Sequence, residues 1–289
     1  MGDLTVTQVS LCYNTGVGTL YLVATPIGNL EDITHRALRI LREVDLIAAE
    51  DTRQTRKLLN HYQISTSLIS YHEHNKRARL KRLINELDQG DVALVSDSGT
   101  PGLSDPGYLL VRAVLDAGYQ VIPIPGPSAP IVALVASGLP TDSFIFLGYL
   151  PRRAVERRNL LDELTEERRT LLAFEVRHRL REALEDLETI LGPERQVAVC
   201  RELTKVHEEI VRGSLRTIRE HFTAVEPRGE FTLVIKGAPT GVRWDESEVR
   251  AALRDRMASG LTPSEAAREV ADKAGWKRRE VYRLTLEDT

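Results

Sequence analysis

The segment Ser96-Asp97-Ser98-Gly99-Thr100-Pro101-Gly102-Leu103-Ser104-Asp105-Pro106-Gly107 follows the apolar run Val92-Ala93-Leu94-Val95 and leads into a helical pattern. A strand that passes through a Gly/Pro/Ser loop into a helix is where α/β proteins hold their ligands. Its glycines and prolines let the backbone turn sharply and approach a ligand closely, while the hydroxyls and carboxylates offer polar contacts. The loop has neither GxxxxGK[ST] nor, after its strand, GxGxxG, and two aspartates argue against a bare phosphate. A nucleoside-like ligand suits this composition better.

Charge runs and histidines add further chemistry. Arg53, Arg56 and Lys57, and then Lys76, Arg77, Arg79, Lys81 and Arg82, would suit phosphate contacts, or equally a solvated helix face. Tyr71-His72-Glu73-His74-Asn75 places two histidines two apart, but no other His or Cys motif accompanies them, so no metal is expected and a polar loop able to contact RNA is the better reading. Near the end, Lys273, Lys277, Arg278, Arg279 and Arg283 make a local basic face.

These groups need elements to position them. The 289 residues predict two domains or one large one, and 42% hydrophobic with 28% charged residues is ordinary for a globular protein. A net charge of -3 gives no overall basic footprint, so any nucleic-acid surface must be local. Cys12 and Cys200 fit no metal or CxxC spacing and read as reduced thiols. The first 17 residues read as a flexible tail without the marks of a secretory signal, and no run approaches a membrane span, so a cytoplasmic location is expected.

From Thr19 strand-like and helix-like segments alternate: strands at 19–25, 45–49, 68–70, 92–96 and 121–124, with helices over 34–44, 53–61, 75–88 and 106–117. That order implies a largely parallel sheet covered on both faces. After Pro125-Gly126-Pro127-Ser128 comes the helix 131–137, then strands at 144–147, 170–174, 196–200, 208–212 and 230–235, with helices over 153–164, 179–190 and 215–222. No long helix separates the strands at 196 and 208, which favours a mixed sheet. The expected organisation is a tail (1–17), an α/β domain (18–125), a second α/β domain (126–240) and a helix-turn-helix-like module (241–289), in which Thr262 or Ser264 caps a helix.

Five motifs in order now carry a resemblance: Leu22-Val23-Ala24-Thr25-Pro26-Ile27-Gly28-Asn29-Leu30, Ala49-Glu50-Asp51-Thr52-Arg53, Ser96 to Gly107, Pro125-Gly126-Pro127-Ser128-Ala129, and Cys200-Arg201-Glu202-Leu203-Thr204-Lys205. Together they closely resemble the ribosomal RNA small subunit methyltransferase I family, within the tetrapyrrole methylase superfamily. The resemblance implies an α/β, two-domain class III methyltransferase fold with a small C-terminal helical module, and S-adenosylmethionine (S-adenosyl-L-methionine) bound in the interdomain cleft. It further implies a homodimer and transfer of a methyl group to the ribose 2′-oxygen of a cytidine in the decoding region of 16S rRNA, within the 30S subunit. Superfamily relatives that methylate tetrapyrroles or a protein side chain define one rival reading. A non-catalytic RNA-binding module is another.

Carried over by motif, Ser98, Gly99, Thr100 and Pro101 match the cofactor loop, with Pro26 beside it. Ser104 and Asp105 follow where they can approach the cofactor's amino acid end, with a helix cap as the alternative reading of Asp105. Ser128 meets the cofactor or caps the next helix; Phe146, Leu147 and Phe174 supply apolar surface for adenine, and Thr232 offers backbone contact. A ribose hydroxyl is a poor acid, so a base is expected: Asp51 and Glu50 first, Glu202 and Lys205 second, against the reading in which Glu50 and Asp51 pair with Arg53 or cap the next helix. Asn29, Arg53, Lys76, Arg77, Lys277 and Arg278 are the expected RNA contacts. One departure stands out: in Phe174-Glu175-Val176-Arg177-His178-Arg179, Arg177 replaces the proline common in relatives.

Overall fold

A computed structural model describes residues 18–239, 244–276 and 278–287. Strands β1 (Thr19–Val23), β2 (Leu46–Ala49), β3 (Ser67–Ser70), β4 (Val92–Val95) and β5 (Gln120–Ile124) form one sheet in the order β3-β2-β4-β1-β5, every pairing parallel. All residues of β2 and β4 are buried, as their unbroken apolar runs require of parallel strands covered on both faces. Period-two alternation splits β4: Ala93 and Val95 pack with Ile40, Leu41, Leu58 and Leu59 of α1 (His35–Glu43) and α2 (Thr52–His61). Val92 and Leu94 pack with Leu83, Leu87, Leu110 and Val114 of α3 (Lys76–Leu87) and α4 (Tyr108–Asp116).

The strand order creates the crevice. From β1 the chain passes over β4 to reach β2, whereas from β4 it passes over β1 to reach β5. Connections therefore diverge between β4 and β1, and such a switch point opens a hollow at the strands' carboxyl ends. The two loops that leave it are tied together: Thr25 N donates to Gly99 O at 2.9 Å and Gly99 N to Thr25 O at 3.1 Å.

After α5 (Ala129–Ser137), strands β6 (Phe144–Tyr149), β7 (Thr170–Val176), β8 (Gln196–Arg201), β9 (Glu209–Ser214) and β10 (Glu230–Ile235) form a second sheet ordered β6-β7-β10-β8-β9. Only β6 and β7 are parallel, so the sheet is mixed; residues 202–208 between β8 and β9 are too few for a crossover and dictate an antiparallel return. One face packs on α6 (Ala154–Glu163), α7 (Leu180–Leu191) and α8 (Leu215–Ala224) through Leu161, Leu184, Leu187 and Phe222. The other receives Ala133 and Leu134 of α5 against Leu172, Ala198 and Val234.

Three further helices, α9 (Glu246–Ala258), α10 (Pro263–Ala274) and α11 (Arg278–Glu287), share a core of Val249, Leu253, Val270, Val281 and Leu284. Thr262, not Ser264, caps α10, in a reciprocal box with Glu265; the Ser264 hydroxyl instead accepts from Arg278 Nη2 at 3.0 Å. Lys277 lies outside the described residues, as do Cys12 and the rest of residues 1–17. No helix among the described residues is long and apolar enough to cross a membrane.

Candidate active site

The carboxyl ends of the two sheets face one another. In the second sheet β6, β7 and β8 end at the same edge where antiparallel β10 begins, as the pairs Thr232↔Phe174 and Phe231↔Arg201 require. Between them lies a cleft of about 970 Å³, open to solvent. The first sheet contributes Ile27, Glu50 and the loop after β4, and Ser128 comes from the start of α5; the second contributes Tyr149, Phe174, Glu175, Cys200, Glu202, Leu203, Lys205, Glu230, Phe231 and Thr232.

Of the expected cofactor residues, Ser98, Gly99, Thr100, Ser104, Asp105, Ser128, Phe174 and Thr232 line this cleft. Ser128 occupies the N-cap position of α5 without a capping hydrogen bond, which leaves its hydroxyl to the cleft, and α4 is capped by Gly107 and not by Asp105. Pro26, Pro101, Phe146 and Leu147 do not line it. Phe146 stands behind Phe174, edge to face with ring centroids 5.1 Å apart, and Leu147 packs into the core on the α6–α8 face. Strand alternation explains the pair, since successive residues face opposite sides.

Among the expected catalytic residues, Glu50, Glu202 and Lys205 line the cleft. Asp51 sits in an adjoining depression with Thr52, Arg53, Ser70, His72 and His74, with Glu50 as the shared wall. It caps α2, accepting from Arg53 N at 2.8 Å, and pairs with the Arg53 guanidinium at 2.7 Å. That guanidinium lowers the Asp51 carboxyl to about 2. Glu50 moves the opposite way: burial raises it, and the neighbouring Asp97 adds to the rise. Asp97 ties the segments together, accepting from Asp51 N at 2.8 Å, while its own N–H donates to Glu50 Oε2 at 3.4 Å.

Asp105 completes an acidic cluster. Burial first, then repulsion from Glu50, raises its carboxyl to about 7. A carboxyl raised on folding stabilises the fold fully below its unfolded value, and the contribution is lost as pH rises through about 7. A cation placed beside Asp105 reverses the preference. Affinity for a cationic ligand is therefore expected to climb with pH up to about 7 and then level off, with the slope abolished in Asp105→Asn; calorimetric titration across that range checks it, and a pH-independent affinity would remove Asp105 from the site.

Lys205 donates to Glu202 Oε1 at 3.1 Å and to Glu230 Oε2 at 2.8 Å. Burial works against its charge, but first Glu230 and then Glu202 outweigh it, so the ammonium is raised and stays charged. Glu202 also accepts from Glu230 N at 2.9 Å and ends below its usual range despite burial. Two cleft residues, Ser104 (φ 65) and Glu202 (φ 49), and the nearby Thr204 (φ 65) adopt left-handed backbone without being glycine or asparagine. Such conformations cost roughly 1–3 kcal/mol each and persist where the surroundings enforce them, often at functional sites. Here enforcement is visible at Gly229, where any Cβ would overlap the Glu202 carboxyl. Cys200 is buried, with its thiol raised to about 12, and is inert as a nucleophile.

The expected RNA contacts scatter. Asn29 caps a short 3-10 turn (Leu30–Asp32), and its N–H donates to Thr204 Oγ1 at 3.1 Å across the two halves. Arg53 lies in the side depression, Lys76 pairs with Glu73, Arg77 is exposed on α3, and Arg278 belongs to the helical tail. Among the described residues no three His, Cys, Asp or Glu side chains are grouped to hold a metal ion. Tyr149 and Glu230 line the cleft although no sequence motif names them; Asp97, from the loop after β4, and Glu175, from the Phe174–Arg179 segment, line it too without an assigned site role.

Comparison with known proteins adds the following. The family described as Tetrapyrrole (Corrin/Porphyrin) Methylases matches residues 19–219, and the RsmI C-terminal HTH domain matches residues 245–289. A ribosomal RNA small subunit methyltransferase I of Synechocystis sp. is 52% identical over 274 residues, covering 94% of this chain and 98% of its own length. One of the same name from Halalkalibacterium halodurans is 48% identical over 284 residues, covering 96% of this chain and 98% of its own. In fold the chain is similar to a uroporphyrin-III C-methyl transferase from Thermus thermophilus, solved in complex with S-adenyl homocysteine: TM-score 0.54, 20% identity, 76% of this chain and 97% of that one.

Proposed function

The chain belongs to the tetrapyrrole methylase family, in the branch of the small-subunit ribosomal RNA methyltransferases, and from that premise we propose that it moves the methyl group of S-adenosylmethionine to the ribose 2′-oxygen of a cytidine in the decoding region of 16S rRNA. The observation that carries this reading is the convergence of Glu50, Asp97 and Asp105 on one cleft. Three carboxylates that repel one another, two of them raised, are what a ligand with a sulfonium and an ammonium group relieves. Apolar Ile27, Phe174, Leu203 and Phe231 suit a purine, and the Gly99 backbone lets a ligand approach closely.

When bound, S-adenosylmethionine supplies a methyl carbon activated by its sulfonium. The protein must hold the acceptor oxygen in line with that carbon and remove its proton. Positioning falls to the paired loops after β1 and β4. Proton removal falls to Glu50, which faces the cleft, is raised toward working pH and shares a wall with the Arg53 depression. Asp51 serves as the positioning residue: its cap and its pair with Arg53 hold α2 and the Glu50 turn, and at about 2 it is a weak base. Lys205, held charged between Glu202 and Glu230, fixes that wall of the cleft.

Incubation with labelled S-adenosylmethionine and either 30S particles or naked 16S rRNA, followed by mapping of the label, tests the reading. Label on a cytidine ribose in the decoding region is expected; label on a base, on a protein, on a tetrapyrrole alone or nowhere overturns it. Deleting residues 245–289, which carry their own core, is expected to weaken rRNA affinity about tenfold or more while cofactor affinity stays unchanged. Gel-shift measurement checks this. We place the enzyme in the cytoplasm as a homodimer, with exposed Ile131 and Val135 on α5 as apolar surface for a second copy; sedimentation at micromolar concentration tests the assembly.

A further inference from the structure

Tyr149 is a large aromatic side chain that remains 51% exposed where the cleft opens to solvent. Its placement is built into the strand. The β6–β7 register shifts between Phe146 and Tyr149, and Gly148 takes φ 68 beside the Ser104 hydroxyl, a bulge that turns the next side chain into the cleft. Behind it the ring rests on Phe174 with centroids 5.3 Å apart, and Phe174 rests on Phe146. Tyr149 is thus backed by tilted and edge-on aromatic rings, while half of its surface faces water.

Charges of both signs stand near the ring: Glu230, Asp105 and Glu175 toward the cleft, and Arg179. Because β6 and β7 run parallel, the segments that follow them emerge side by side, and Arg179 Nη1 donates to Leu150 O at 3.1 Å to tie them together. On that shared rim Arg152 and Arg177 are exposed, and neither enters an ion pair among the described residues. An exposed ring with unpaired guanidiniums on the same rim suits an unstacked base and its neighbouring phosphates.

Resting on the rRNA reading above, we propose that Tyr149 stacks the base of the acceptor nucleotide at the cleft mouth while Arg152 and Arg177 take the flanking phosphates. The cofactor's adenine is the other base that could reach this ring. Burial decides between them: Phe231 and Thr232 are buried and supply, with Phe174, the inner surface, whereas Tyr149 is the exposed aromatic of the cleft.

Tyr149→Ala is expected to raise KM for the rRNA substrate about 5- to 100-fold with cofactor Kd within twofold of wild type, and Tyr149→Phe to recover most of the loss. In fluorescence anisotropy with a labelled single-stranded RNA spanning the methylated position, Arg152→Gln and Arg177→Gln should each reduce the slope of log affinity against log salt by about 0.7. An unchanged KM in Tyr149→Ala, or an equal rise in cofactor Kd that puts adenine on the ring, overturns the assignment. If the wild-type protein fails to methylate rRNA, the function reading falls, and the anisotropy series still decides the surface: salt slopes and affinities identical in wild type and all three loss variants refute it.

Discussion

Glu50→Gln lowers the turnover of methyl transfer by about 10²- to 10⁴-fold and weakens cofactor binding far less, by about tenfold or less. The glutamine fills the same volume at the end of β2 and can still accept from Asp97 N, so the turn keeps its shape. What disappears is a proton acceptor raised by burial and by Asp97. The wild-type rate should fall on acidification as this carboxyl protonates, with the inflection above the usual glutamate value, and the variant should lose that inflection. Repulsion from Glu50 also helps to raise Asp105, so the substitution should move the pH dependence of cofactor binding to lower pH. Single-turnover rates and calorimetry read both effects. Near-normal turnover would exclude Glu50 as the base and return attention to Asp51, whose own Asp51→Asn variant should then be the slow one.

Gly99→Val abolishes measurable cofactor binding in a protein that still folds. Gly99 has φ 82, a conformation that costs a residue with a Cβ roughly 1–2 kcal/mol and a β-branched one more. A Cβ there would also sit 3.3 Å from Ile27 Cγ2 and 3.6 Å from Pro127 O, and the valine methyls extend past both into the cleft. The loop relieves this only by breaking its two hydrogen bonds with Thr25. Gly99→Ala separates the contributions: it carries the backbone strain without the methyls, so its loss of affinity should be about tenfold or less. A circular dichroism spectrum like that of wild type, together with absent binding heat, is the expected pair of results; unchanged affinity removes the loop from the site.

How much of this was legible in the chain depends on range. Val92–Val95 reads as a buried strand because all four residues are apolar, the helices of the first sheet announce themselves by spacing, and Thr262 marks the start of a C-terminal helix by its cap. The mixed second sheet follows from the short 202–208 connection. What sequence could not supply was adjacency across the sheet edge. Glu230 begins a strand that no local pattern places beside Phe174 and Glu202, and Tyr149 needs a bulge to reach the cleft. Asp51 and Glu50 show the opposite limit: adjacent carboxylates look alike in sequence, and only the guanidinium beside one and the burial of the other set them apart. The resemblance implies an adenine contact for Phe146 and Leu147, whereas the first packs behind Phe174 and the second into the core of the second sheet.

The contact of Gly28 and Asn29 with the Thr204–Lys205 turn fixes the gape of the molecule. A Cβ on Gly28 would overlap Lys205 Cγ and come within 2.9 Å of Thr204 Oγ1, so the two lobes already touch at bare backbone. Asn29 N donates to Thr204 Oγ1 at 3.1 Å across the same contact. Jaws braced there have little room to swing wide for a guest or to clamp down on one. Loading is therefore a matter of threading through a standing doorway, and solution scattering profiles of the empty and filled enzyme should superimpose.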